Sequence, residues 1–328
     1  MEISGRRDIT AAMNRLGGEG EPFFFIIDFD GESGVVMPLS MMSGSGLSCC
    51  VRGTEIGQAI ENSTAVCNCL NIEPVTQEVY RKGFENVIRN INEGNSYLLN
   101  LTYRTCLGTD IDMAGIYSGA SAPYKFLWPG RFLFFSPEAF VKIEGGRIFS
   151  FPMKGTIDAL LPDAERRLLN DYKELFEHNT IVDLIRNDLS IVATDVRVES
   201  FRYMEEVKSA SGTLLQSSSR VSGALPAGWK SRLGSIIYAM LPAGSISGAP
   251  KDKTLQIIRG SEISPRGYYT GVMGIFNGDT VDSCVIIRYI EAGDDGKFYY
   301  RSGGGITSMS CMEDEYNELI AKIYVPVV

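Results

Sequence analysis

The order of apolar signals along this chain predicts an α+β fold. Three observations carry that reading. Short alternating runs come in pairs joined by turn residues, as antiparallel hairpins do. Helical periodicity falls between those pairs, without the regular β-α-β alternation that builds a doubly wound parallel sheet. The length, 328 residues, exceeds one ordinary core and calls for two domains or one large multilayer domain. No repeat, low-complexity block or clear linker divides the chain, and the Gly/Pro-rich stretch 221–229 reads as a loop. A single domain is therefore expected.

The elements follow in order. Residues 22–40 read as a strand, a turn at Asp30-Gly31 and a second strand. Residues 75–93 have helical periodicity and end at Gly94. Residues 96–104 and 131–135 read as strands, and 138–148 as a hairpin with Gly145-Gly146 at its turn. From Pro162 to about Ile191 the pattern is helical, with the proline near the first turn. A helix over 230–241, the loop PAGSISGAP and a helix over 251–259 come next. Strands over 272–276, 281–290 and 297–301 lead to a closing helix from Ser310, where Ser310 and Glu313 have the spacing of a capping box.

Composition narrows the function. Hydrophobic residues are 44% and charged residues 22%, an ordinary globular balance. The net charge of -9 does not attract a phosphate backbone, so no nucleic-acid partner is expected. An anionic substrate would have to be held by a few placed cations. The longest apolar runs, such as 23–27, fall far short of the roughly 20 residues of a membrane span, and the start has no apolar signal core. No membrane partner is expected. The seven cysteines (Cys49, Cys50, Cys67, Cys69, Cys106, Cys284, Cys311) are odd in number and lack C-x-x-C spacing. Neither a zinc site nor a disulfide framework is expected, and a cytoplasmic location fits. The single histidine, His178, lies mid-helix with no nucleophile elbow nearby, which argues against a Ser-His or Cys-His hydrolase.

Several residues carry candidate chemistry. Glu174 and Glu177 share one helical face, as do Glu315 and Glu318, with Lys322 four residues further on. Paired acids on two helices suit a hard divalent ion, although spacing alone fits a solvated acidic face better. Arg288 lies in an apolar run and needs a carboxylate partner, from the protein or from a ligand. The glycines around Gly303 and Gly305, and the loop 243–250 with Ser245, allow close backbone approach to an anion. Lys154 follows a strand. By itself it reads as a surface lysine, or as a nucleophile if desolvation or a nearby cation frees its amine.

Taken together, SPEAF, FPMKGT, EHNTIVDLIRNDLS, PAGSISGAPKDK, RGYYTG, VIIRY and SGGGITSMSCMEDEYNELIAK resemble the chorismate-binding enzymes. That family includes anthranilate synthase component I, aminodeoxychorismate synthase component I, isochorismate synthase and salicylate synthase. The motifs occur in family order over about residues 75–325, and residues 1–74 read as a shortened N-terminal part completing the domain. The resemblance implies one large multilayer sandwich of two mostly antiparallel sheets flanked by helices, with the site between the sheets. It implies Mg²⁺ on Glu177 and Glu318, supported by Glu174 and Glu315. It further implies Arg288 and Tyr269 on a pyruvyl carboxylate, with Gly303, Gly305, Lys322, Ser245 and Gly271 binding substrate, and Glu138 as general acid for a departing hydroxyl.

Within the family, PxKGT resembles the aminodeoxychorismate synthases. There the lysine matching Lys154 attacks chorismate, and ammonia then expels it. Leu98 aligns with the lysine base of water-adding members. His178 follows Glu177 as in anthranilate synthases, which keeps that activity as the alternative. A chorismate-binding paralogue without turnover is the non-enzyme alternative, and the joint presence of Glu138, Lys154, Glu177 and Glu318 argues against it. No Cys-His-Glu amidotransferase set is left in the chain, so ammonia is expected from a separate glutamine amidotransferase subunit.

Overall fold

The structure, a computed structural model, describes residues 2–60, 72–209 and 212–325. Cys67 and Cys69 lie outside these residues. Two antiparallel sheets face each other with helices on their outer sides, as the α+β pattern and the family resemblance imply. The first sheet runs Glu2–Ser4, Ser33–Pro38, Phe23–Ile27, Val272–Phe276, Val281–Val285, Ala139–Glu144, Arg147–Ser150, Gly212–Ala224, Met153–Asp158, and Thr194–Ser209 also pairs with Gly212–Ala224. The second runs Gly248–Ala249, Leu98–Gly108, Phe298–Ile306, Tyr289–Ala292, Phe132–Ser136, Tyr124–Trp128, Ser48–Val51, Thr54–Gly57.

Side-chain alternation explains the layers. In Phe23–Ile27 every residue is buried. Phe23, Phe25 and Ile27 point outward and pack with Ile9, Leu189 and Leu233, which lie on helices Arg6–Glu19, Tyr172–Val192 and Leu233–Ala239. Phe24 and Ile26 point inward, where Phe24 stacks on Phe126 of the other sheet at 5.6 Å. A period of two thus splits one apolar run between two cores. Helices Gln77–Asn92, Lys251–Ser261 and Met312–Ala321 cover the outer face of the second sheet through Leu99, Leu101 and Tyr103.

The chain passes between the sheets at two points that matter for function. Phe132–Ser136 belongs to the second sheet and Ala139–Glu144 to the first, so Glu138 sits at the crossing. The run expected as one strand over 281–290 is two, Val281–Val285 in the first sheet and Tyr289–Ala292 in the second. Arg288, at φ 55, makes the turn between them. The two crossings lie side by side, since Val285 N donates to Glu138 O at 3.1 Å.

Other expectations need correction. The helix over 162–191 is two helices, Ala164–Asn170 and Tyr172–Val192, broken at Asp171, whose carboxylate instead caps Glu174 N. The 230–241 helix shortens to Leu233–Ala239 behind a 3-10 turn. Residues 221–224 are strand, not loop, because they pair with Arg147–Ser150. The Ser310–Glu313 capping box does not form. The last helix starts at Met312, and Ser310 Oγ donates to Glu315 Oε1 at 2.7 Å.

Candidate active site

A cavity of about 580 Å³ opens between the sheets where the two crossings meet the strand bearing Lys154. That strand is bulged. Met153 pairs with Ser218 and Thr156 with Gln216, so one extra residue is accommodated at Lys154-Gly155. Gly155 takes φ 83, and a Cβ there would lie 2.9 Å from Glu174 Oε2. The glycine therefore lets the strand close onto the acidic helix. Lys154 then reaches Glu177, with Nζ to Oε2 at 3.1 Å.

The cavity wall brings together Lys154, Glu138, Arg288, Tyr269, Gly303, Gly305, Lys322, Ser245, Glu174, Glu177, Glu315 and Glu318. Residues from distant segments thus converge on one wall. Gly271 does not line the cavity. A Cβ there would lie 2.2 Å from Ile27 O, so its place is set by strand packing. Ser245 lines the wall and also donates to Glu138 Oε1 at 2.9 Å. His178 is buried behind the wall, with Nε2 2.6 Å from Ser219 Oγ. Burial first, then the charges of Arg202 and Lys154, lower its pKa to about 4, so the ring is neutral.

The electrostatics separate the acids. Burial raises Glu138 above the usual carboxylate range, against the pull of the Ser245 hydrogen bond and the charges of Lys154 and Lys322. Burial and the neighbouring Glu177 charge raise Glu174. Burial, reinforced by Glu318 and Glu177, raises Glu315 despite the Ser310 hydrogen bond. Burial also acts on Glu318, but Lys322, at 2.6 Å, with Lys154 and Lys173 beyond, outweighs it and holds that carboxyl low. Lys322 Nζ additionally donates to Gly303 O at 3.0 Å, which ties the last helix to the glycine strand.

The donor set is all carboxylate oxygen. A Cβ at Gly304 would lie 3.1 Å from Glu315 Oε2 and 3.6 Å from Glu318 Oε1, so the glycine leaves space beside both acids. Among the described residues no three acid, histidine or cysteine side chains close a metal site alone. Such a cradle fits a hard ion that takes one or two carboxylates and completes its shell with water and ligand oxygen. Arg288 lines the cavity and makes no ion pair with protein among the described residues.

Sequence reasoning missed other wall residues. Arg301 is buried and lies 3.6 Å from Glu262, which also pairs with buried Arg266 at 2.6 Å. Its signal was an arginine in the apolar strand before the glycine run. Asn100 lines the wall with a buried side-chain oxygen that accepts no hydrogen bond among the described residues. Nothing in the sequence singled it out from its strand neighbours.

The family model described as chorismate binding enzyme matches residues 68–327. An uncharacterised PabA-like protein of Pasteurella multocida is 48% identical over 96% of this chain and 97% of its own length. Aminodeoxychorismate synthase component 1 of Salmonella typhimurium is 30% identical over 76% of this chain and 57% of its own. The structure of anthranilate synthase component I from Streptococcus pneumoniae superposes with a TM-score of 0.66 at 25% identity, covering 79% of this chain and 59% of that one. Among the described residues no helix is long and apolar enough to cross a membrane. The chain belongs to the family of chorismate-binding enzymes.

Proposed function

We propose that this chain is an aminodeoxychorismate synthase component I, which aminates chorismate at C4 with ammonia. The observation that carries the reading is Lys154, bulged out of its strand into the same cavity as four glutamates and a partly buried Glu138. The lysine nitrogen attacks C2 as the C4 hydroxyl departs. Glu138, whose pKa burial raises, gives that oxygen its proton, since hydroxide is a poor leaving group. Ammonia adds at C4 and expels the lysine. Arg288 and Tyr269 hold the pyruvyl carboxylate, in keeping with an arginine that has no protein partner for its charge.

Glu177 and Glu318 would hold Mg²⁺, with Glu174 and Glu315 beside them. When bound, the ion supplies positive charge for the ring carboxylate. Leu98, buried at the wall, offers no base for water. A separate glutamine amidotransferase subunit supplies the ammonia, as the name component 1 of the Salmonella relative supports. Anthranilate formation is the second reading, favoured by the likeness to the Streptococcus structure.

Products decide the matter. Chorismate, Mg²⁺ and the purified chain should give 4-amino product with ammonium and none with glutamine. Because free ammonia is the nucleophile, the rate at fixed total ammonium should climb with pH below the ammonium pKa. Strongly fluorescent anthranilate from the wild type, or turnover with glutamine alone, would count against this reading.

A further inference from the structure

The proposed reaction needs a place for the nitrogen nucleophile, and among the described residues of the wall Asn100 offers a neutral side-chain acceptor with no protein partner. Two residues of the strand Leu98–Gly108 that project to the same side, Leu98 and Asn100, line the cavity. Leu98 can hold nothing polar. The side-chain oxygen of Asn100 is buried and accepts no hydrogen bond among the described residues. An orphaned buried acceptor is costly, and a ligand donor removes that cost.

Its position is specific. Asn100 is in register with Gly305 on the neighbouring strand. Cross-strand Cβ positions lie about 5 Å apart. A Cβ at Gly305 would lie 3.7 Å from Lys154 Nζ. The Asn100 side chain therefore starts beside the spot under the lysine nitrogen, and the missing side chain at 305 leaves room between them.

We propose that Asn100 Oδ1 accepts an N–H of the incoming ammonia and orients its lone pair toward the substrate. The inference rests on the amination reading above. A neutral amide oxygen suits the task better than a carboxylate would. It accepts from ammonia without the full charge that would favour ammonium, which has no lone pair to give.

The test measures ammonium and chorismate KM separately for wild type, Asn100→Leu and Asn100→Ser. Leucine matches the shape of asparagine but accepts no hydrogen bond. Loss of one neutral hydrogen bond should raise the ammonium KM about three- to tenfold in Asn100→Leu. The chorismate KM should stay within about twofold, since the pyruvyl carboxylate and acid cluster are untouched. Asn100→Ser, which keeps an acceptor of shorter reach, should fall between, and it replaces the leucine variant if that one does not fold. An unchanged ammonium KM in either folded variant, or an equal rise in both constants, overturns the proposal while leaving amination intact. A wild type that consumes chorismate without incorporating nitrogen overturns the amination reading as well, so the two failures are distinct.

Discussion

Lys154 and Glu177, 23 residues apart in the sequence, meet at 3.1 Å across a strand and a helix. The bulge brings the lysine forward, and the helix Tyr172–Val192 brings the acid to it. Lys322 and Glu318 repeat the pairing on the last helix at 2.6 Å. Each carboxylate proposed as a metal ligand thus already has a lysine partner. The two supporting acids, Glu174 and Glu315, are instead raised toward protonation.

That division gives the first prediction, on the hypothesis that Glu318 is a direct Mg²⁺ ligand and Glu315 is not. Glu318→Gln keeps the shape and loses the charge. Turnover should become undetectable or need far higher Mg²⁺. Glu315→Gln should remain active with a smaller change in Mg²⁺ demand. Mg²⁺ titrations of chorismate consumption check both, and equal Mg²⁺ dependence of Glu318→Gln and wild type removes the assignment.

The motifs around Lys154, Glu177, Arg288 and Glu318 were legible because each is a short run of unusual chemistry. Their convergence was not legible from periodicity. Arg288 reads as part of one continuous strand because Val285, Ile286 and Ile287 are apolar, yet the chain changes sheets there. No local signal marks a crossing that depends on where the other sheet stands. The long hairpin of Thr194–Ser209 and Gly212–Ala224 escaped for a different reason. Its solvated outer edge carries charges in place of clean apolar alternation, as Arg197, Glu199 and Glu205 show. Helix Arg6–Glu19 was missed because only Ile9, Met13, Leu16 and Gly17 are buried on it, a thin stripe among charges. The capping box at Ser310 failed because that hydroxyl already serves Glu315.

The second prediction separates two glycines of one motif. A Cβ at Gly303 would lie 2.2 Å from the backbone oxygen of Leu101. Gly303→Ala should cost stability of about 1–3 kcal/mol or more, since a paired strand has no room to move. A Cβ at Gly305 meets only the end of Leu98, at 3.2 Å, and Lys154 Nζ, at 3.7 Å. Gly305→Ala should fold near wild-type stability, with kcat/KM lowered at least about tenfold by crowding the nucleophile. Thermal unfolding and chorismate kinetics check the pair. A reversed order of effects would show that the 305 position does not face the reaction.

The third prediction concerns Glu138 and pH. Its folded pKa is raised by burial, so its contribution to stability is fully present below the ordinary carboxylate value. That contribution is lost as pH rises through the raised value, where a buried carboxylate must ionise. Glu138→Gln removes the penalty. The variant should match wild type in Tm at acid pH and exceed it progressively as pH rises. Turnover should drop about 10²- to 10⁴-fold, as loss of a general acid does. Parallel Tm–pH curves for the two proteins would mean that Glu138 does not titrate as a buried acid.

The last prediction decides between the two activities. If Lys154 is the nucleophile, Lys154→Ala should eliminate 4-amino product. Chorismate binding should persist, because Arg288, Tyr269, Gly303 and Lys322 line other parts of the wall. The substitution opens space at C2 beside a general acid that is still in place. Ammonia can then reach C2 directly, so a small yield of C2-aminated product is expected. Lys154→Arg should not restore 4-amination, because a guanidinium stays protonated. Wild type and both variants are incubated with chorismate, Mg²⁺ and ammonium, and products are identified by mass and by coupling to a lyase that releases 4-aminobenzoate. Full 4-amination by Lys154→Ala would make the lysine a binding residue and remove the covalent step, whereas anthranilate from the wild type would make anthranilate synthesis the better reading.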